Sequence, residues 1–302
     1  MISKNFIQRI ILAAAILTIL TYTLGIRKLF ETLLSANLLW VVPTILLWIL
    51  LFLLGAYNLK ILLNALGVKM PLLKLFRYNL MSWASGLILP GKIGEFILIK
   101  FLKKDNVEYG LSSVLYLIDK AITLIFLIVA STIGAIFLFD TDYLTLPLMV
   151  LSFLLFIFIV AMISEKVKAI IKKYILRKYS TMFSGFSSNL LKLIKHKKSA
   201  ILFNLTITIL KAMISSVAVS FLFLSFGQQV NFLHILVIDS MITILTFIPI
   251  TPNGLGIKES SAALFYTFIG LDPVITASAY ILGTIVVNLI VFFTFLALRV
   301  RI

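Results

Sequence analysis

From Leu38 to Leu59 the chain carries no charged residue. A helix of about 20 apolar residues is long enough to cross the hydrocarbon core of a bilayer. Comparable stretches read as full spans at Arg9–Gly25, Leu38–Lys60, Ser112–Phe139, Tyr143–Ile163, Ala200–Phe226 and Pro273–Leu298. Every backbone N–H and C=O in lipid needs an internal partner, which leaves helices or closed barrels. No alternating strands of barrel length, separated by turns, occur. The chain is therefore expected to be an all-α integral membrane protein forming one polytopic domain over 1–302. Its hydrophobic fraction of 62% and mean hydropathy of +1.16 agree. The opening MISKNFIQRIILAAAILTIL reads as an uncleaved first span, because its apolar run is long and no small-residue cleavage site follows cleanly.

Charge orients the spans. Between Glu165 and Lys198 lie ten Lys/Arg against the single acid Glu165, which places that segment in the cytoplasm. Asp140 and Asp142 mark an outside corner, while Lys4, Arg9, Arg299 and Arg301 put both termini inside. Val167, Ile170, Ile171, Tyr174 and Ile175, then Phe183, Phe186, Leu190 and Ile194, recur at helical spacing opposite lysines. That pattern reads as an interfacial amphipathic helix; a solvated loop that only sets topology is the plainer alternative. The net charge of +16 fits anionic lipid headgroups, and no soluble basic module exists to bind nucleic acid. Cysteine is absent, and His196 and His234 lack metal-ligand spacing, so no metal or cofactor is expected.

Two apolar stretches are broken. Leu72–Leu102 holds LILPGKIGEF, and Phe232–Leu271 holds IPITPNGLGIKES. Pro90, Gly91, Lys92, Gly94 and Glu95 in the first answer to Pro252, Gly254, Gly256, Lys258 and Glu259 in the second. Charge parity makes the first a re-entrant hairpin from the cytoplasm and the second a hairpin from outside; two short crossings each would give the same parity. Proline and glycine stop and restart a helix, and irregular backbone at membrane depth is tolerated only inside protein or beside a watery cavity. Matched, oppositely inserted breaks point to inverted repeats (about 38–163 and 200–302, joined by 164–199) with a binding site where they meet. The restarted helices, near Lys92 and Ile257, would aim N–H groups at an anion. A first-turn glutamate is also favoured by capping alone, without any function.

Asp119, Lys120, Lys211 and Asp239 lie within apolar segments, where a charge is costly and seeks a partner. Opposite signs pair Lys211 with Asp239 or Asp119, either for ion coupling or simply to hold the bundle together.

At these residues the chain resembles the lysylphosphatidylglycerol synthase transmembrane family. PGKIGE is similar to that family's P-G-R-x-G-E element, TPNGLGIKE to its P-x-x-G-x-G-x-x-E element, and Ile118-Asp119-Lys120 to its E-R pair. Leu98 stands where a basic residue is often found, with Lys100 nearby, and Thr123 lies where a second acid is common. The resemblance implies a flippase-like membrane domain that moves charged-headgroup lipids between leaflets of the cell membrane, here without the soluble aminoacyl-transferase half. Its implied partners are lipids with anionic headgroups: a phospholipid, an aminoacylated phospholipid or a polyprenyl-phosphate-linked lipid. A lipid-synthesising enzyme is a further implied partner. The alternatives are an intramembrane lipid transferase with Glu95 or Glu259 as base, or an accessory subunit of an envelope-assembly complex.

Overall fold

A computed structural model describes residues 4–86, 95–138, 185–248 and 250–297, and what it describes is nearly all helical. Chain order runs α1 (Lys4–Leu24), α2 (Ile26–Leu34), α3 (Val41–Ala65), α4 (Leu72–Gly86), α5 (Ile97–Lys104) and α6 (Tyr109–Leu138), then α7 (Phe186–His196), α8 (Lys198–Ser225), α9 (Phe232–Phe247), α10 (Ile257–Phe265) and α11 (Pro273–Ala297). Five of the described helices are long and apolar enough to cross a bilayer: Ile7–Leu24, Leu38–Ala65, Tyr109–Phe137, Lys198–Ser225 and Pro273–Thr294. The sixth expected span, Tyr143–Ile163, lies outside the described residues. So do the first part of the amphipathic connection and Pro90, Gly91, Lys92 and Gly94 of the first break. Helix α7 carries the second part of that connection, with Leu190 and Leu193 buried and lysines outward.

One order of helices occurs twice. A long helix of 25 residues (α3), one of 15 (α4), one of 8 (α5) and a long one of 30 (α6) are followed by helices of 28, 16, 9 and 25 residues (α8 to α11). The joints match as well. Helix α3 ends at Gly67, φ 90, whose N–H donates to the Asn64 carbonyl while the Val68 N–H donates to that of Leu63, both at 3.0 Å. Helix α8 ends at Gly227, φ 71, with the same two bonds, to Leu224 and Phe223, again at 3.0 Å. This is the Schellman cap, whose left-handed residue favours glycine. The short helices close in the same way, at Asn106 (φ 63) and Gly270 (φ 79).

The cores repeat in register. Fully buried Leu63, Leu75 and Leu102 anchor the first half, and fully buried Phe223, Ile235 and Tyr266 anchor the second. The first two pairs are 160 positions apart and the third 164, so the second half gains four residues between its ninth and tenth helices. Because lipid tails are as apolar as leucine, helices associate through close packing and polar contacts. Phe137, Phe203 and Phe292 accordingly stay on the outside. The most extensive pairings are α3 with α8, which joins the halves, and α6 with α9, where Gly134 admits Val237.

Helix α2, which the hydropathy reading did not anticipate, is a short amphipathic segment packed on α11. Its Lys28 pairs with Asp272 at 3.3 Å.

Candidate functional site

Each half buries a polar cluster behind its break. In the first, Glu95 sits in the single 3-10 turn before α5, and Asp119 and Lys120 lie side by side on α6. Lys120 forms an ion pair with Glu95, lies 3.7 Å from Asp119, and stacks its ammonium 5.6 Å from the Tyr116 ring centre. Asp119 also accepts hydrogen bonds from Asn58 on α3 at 2.9 Å and Asn204 on α8 at 3.2 Å. One carboxylate thus ties three long helices together. Lys211, two turns along α8 from Asn204, has Asp119, Lys120 and Glu95 as its electrostatic neighbours. Of the two acids expected for Lys211, Asp119 is the one within its electrostatic reach. Glu95, Asp119 and Lys120 line a cavity of about 40 Å³ together with Asn79, Ser82 and Tyr116.

In the second half Asp239, on α9, accepts a hydrogen bond from the Tyr280 hydroxyl, which stands 3.2 Å from that of Tyr266. Lys258, in the first turn of α10, places its ammonium 5.6 Å from the Tyr280 ring centre, with its charge acting on Asp239. Glu259 is 1% exposed and fully engaged. One oxygen accepts the Gly256 N–H at 2.8 Å, and the other accepts the Thr284 hydroxyl at 2.8 Å. The first oxygen is a capping contact, the bland role that a first-turn glutamate allows. Gly256 itself has φ 84 and lies under Ile16 of α1, so a side chain there would be both strained and crowded.

A cavity of about 230 Å³ opens beside this turn. Pro252, Lys258, Glu259 and Asp239 line it, and the first half closes it with Trp48 and Trp83. Two of its buried polar atoms have no hydrogen-bond partner among the described residues: the Trp48 indole N–H, a donor, and Asn288 Oδ1, an acceptor. The cavity therefore offers a cation and a free N–H on one hand, and a carboxylate and a free carbonyl on the other. Gly254 and Gly256 shape the backbone without facing it.

The structure thus separates the sequence-marked residues into two groups, Glu95 with Asp119, Lys120 and Lys211, and Asp239 with Pro252, Lys258 and Glu259. Trp48, Trp83, Tyr280 and the amides Asn58, Asn204 and Asn288 did not stand out in the sequence. The amides had a readable signal, since an uncharged polar side chain in an apolar span also needs a partner. The tryptophans had none, being ordinary in such helices.

Apolar helices of membrane length around two buried, charged clusters define a polytopic membrane protein with a polar interior. The chain belongs to the family of the lysylphosphatidylglycerol synthase transmembrane region, whose model matches residues 6–295. It is 26% identical to a UPF0104 membrane protein of Archaeoglobus fulgidus, over 77% of each chain. It is also 27% identical to a UPF0104 membrane protein of Methanothermobacter thermautotrophicus, over 41% of this chain and 35% of that one.

Proposed function

We propose that the protein is a flippase-like transporter, not an enzyme, that passes the headgroup of an anionic or charged-headgroup lipid between leaflets. The observation that carries this reading is the 230 Å³ cavity, lined inside otherwise apolar helices by Lys258 and by Trp48, whose N–H has no partner among the described residues. A phosphate there meets an ammonium and a neutral donor in a low-dielectric setting, which strengthens both contacts. Acyl or prenyl tails remain in lipid, beside the exposed Leu, Ile and Phe side chains. The twofold order of helices, with matched caps and matched core residues, supports inverted repeats on either side of the cavity. Rocking of one repeat against the other then exposes the headgroup to each leaflet in turn. The family membership supports a lipid-related role.

The test is reconstitution into liposomes containing fluorescent-tailed phosphatidylglycerol, with dithionite quenching of the outer leaflet. The wild type is expected to equilibrate the label between leaflets. Loss of one charge-assisted contact is worth about 1.5–3 kcal/mol, so Lys258→Gln is expected to slow exchange roughly ten- to hundredfold. A wild type that moves neither this lipid nor a polyprenyl phosphate would sink the proposal, and a chemically altered lipid in the same vesicles would favour a transferase.

A further inference from the structure

The two cavities are built from corresponding positions. Gly55, Leu59, Asn79 and Ser82 of the small cavity lie 160 positions before Ser215, Val219, Asp239 and Ile242 of the large one. Glu95, Tyr116, Asp119 and Lys120 lie 164 positions before Glu259, Tyr280, Gly283 and Thr284. These are the same two intervals that relate the helix caps and the core residues. The glutamate and the tyrosine are identical in both sets. The small cavity is therefore the counterpart of the large one and not an incidental void.

What differs is the partner of the glutamate. In the large cavity Glu259 takes a neutral hydroxyl from Thr284 at 2.8 Å, and the space beside it stays open. In the small cavity the equivalent partner is Lys120, whose ion pair with Glu95 ties the turn before α5 to α6. The remaining 40 Å³ has room for a few waters at about 10–15 Å³ each, and none for a headgroup. Yet it is equipped for a ligand. Ser82 is 3% exposed and lines the cavity, and its hydroxyl has no hydrogen-bond partner among the described residues. Lys120 lines the same cavity and supplies a cation there.

We propose that the small cavity is a second binding site for a phosphate-bearing headgroup, closed here by the Glu95–Lys120 ion pair, and that the two sites open in alternation. The proposal rests on the transporter reading above and extends it to a site in the other half. When the ion pair parts, Lys120 is freed to face the phosphate, as Lys258 does on the other side. The halves pack along α3 and α8, which gives the proposed alternation a shared surface to act through.

The chain has no cysteine, so single cysteines report directly. Ser82→Cys and Ile242→Cys probe equivalent points of the two cavities, with a sulfonated maleimide as the reagent in detergent micelles. Without other changes Ile242→Cys is expected to react faster. Adding Lys120→Thr, which gives the first half the partner found in the second, is expected to raise the Ser82→Cys rate and lower the Ile242→Cys rate. A change of about tenfold in each corresponds to some 1.4 kcal/mol. Thr284→Lys is expected to act in the same direction, whereas Lys120→Arg should retain the starting rates. Dihexanoyl phosphatidylglycerol, but not dihexanoylglycerol, should protect Ile242→Cys alone and Ser82→Cys in a Glu95→Gln background, which parts the ion pair and keeps the Lys120 cation. If Lys120→Thr raises Ser82→Cys labelling but leaves Ile242→Cys unchanged, alternation is wrong. If Ser82→Cys becomes reactive in the Glu95→Gln background and is not protected, the second site is wrong. Failure of protection at Ile242→Cys removes the headgroup reading itself, a separate outcome that labelling rates alone would not produce.

Discussion

Both oxygens of Glu259 are held by protein donors, so its first duty is to hold α10 in place. Glu259→Ala removes a helix cap and leaves the buried Thr284 hydroxyl without its acceptor, a loss of about 1–3 kcal/mol. A lower melting temperature of the purified protein in detergent is the expected readout, with Glu259→Gln closer to wild type because the amide oxygen still accepts. A second residue gives a pH signature outside the spans. Desolvation acts to raise the Asp105 pKa, but hydrogen bonds from Lys74 and Tyr78 and the Lys74 charge outweigh it and hold the carboxyl below its usual value. The unfolded chain therefore binds the proton first as pH falls. The stabilisation is complete above an unfolded pKa of about 3.9 and disappears as pH drops through the lower folded value. Melting temperatures taken from pH 7 to pH 3 should fall more steeply for wild type than for Asp105→Asn. Parallel curves would show that the contact carries no stability.

At the scale of elements, the long helices were legible because length and hydropathy decide them, and Leu38–Ala65 follows the reading from Leu38 to within a few residues of its end. The restart of the second broken segment was equally legible, since Pro252, Gly254 and Gly256 leave the chain few places to resume a helix, and α10 begins at Ile257. Partner choice was not legible. Charge sign left Lys211 either Asp119 or Asp239, and only the packed fold sets it nearer the Asp119 cluster. Helix α2 was missed because nine residues with Arg27, Lys28 and Glu31 carry too little hydropathy, though its apolar face packs well. Close packing was hidden too, since a glycine in an apolar run does not announce its neighbour. Gly134 marks the crossing of α6 and α9, where any added side chain collides with Val237. Gly134→Leu is expected to cost about 1–3 kcal/mol through overpacking. Relief by Val237→Ala in the double mutant, measured by thermal unfolding, would confirm the crossing.

For the whole molecule, the proposed inverted arrangement makes a geometric prediction. Lys69 and Gln229 occupy the same place just past the α3 and α8 caps of the two halves, 160 positions apart. Inverted repeats put them on opposite faces of the membrane. In intact cells Gln229→Cys should react with an impermeant maleimide and Lys69→Cys should react only after lysis. Labelling of both from the same side would exclude inversion while leaving the matched helix order intact.

Helix α1 stands outside the repeated order, and its Ala13 and Ile16 press on Gly256 of the second half. A pair of halves related by symmetry alone would have two resting shapes of equal free energy. Under the proposed rocking, a single-sided prop of this kind removes that degeneracy and favours one shape over the other. Shortening Ile16 to alanine should therefore leave the helices in place while moving the idle populations towards parity, a change in bias rather than in architecture.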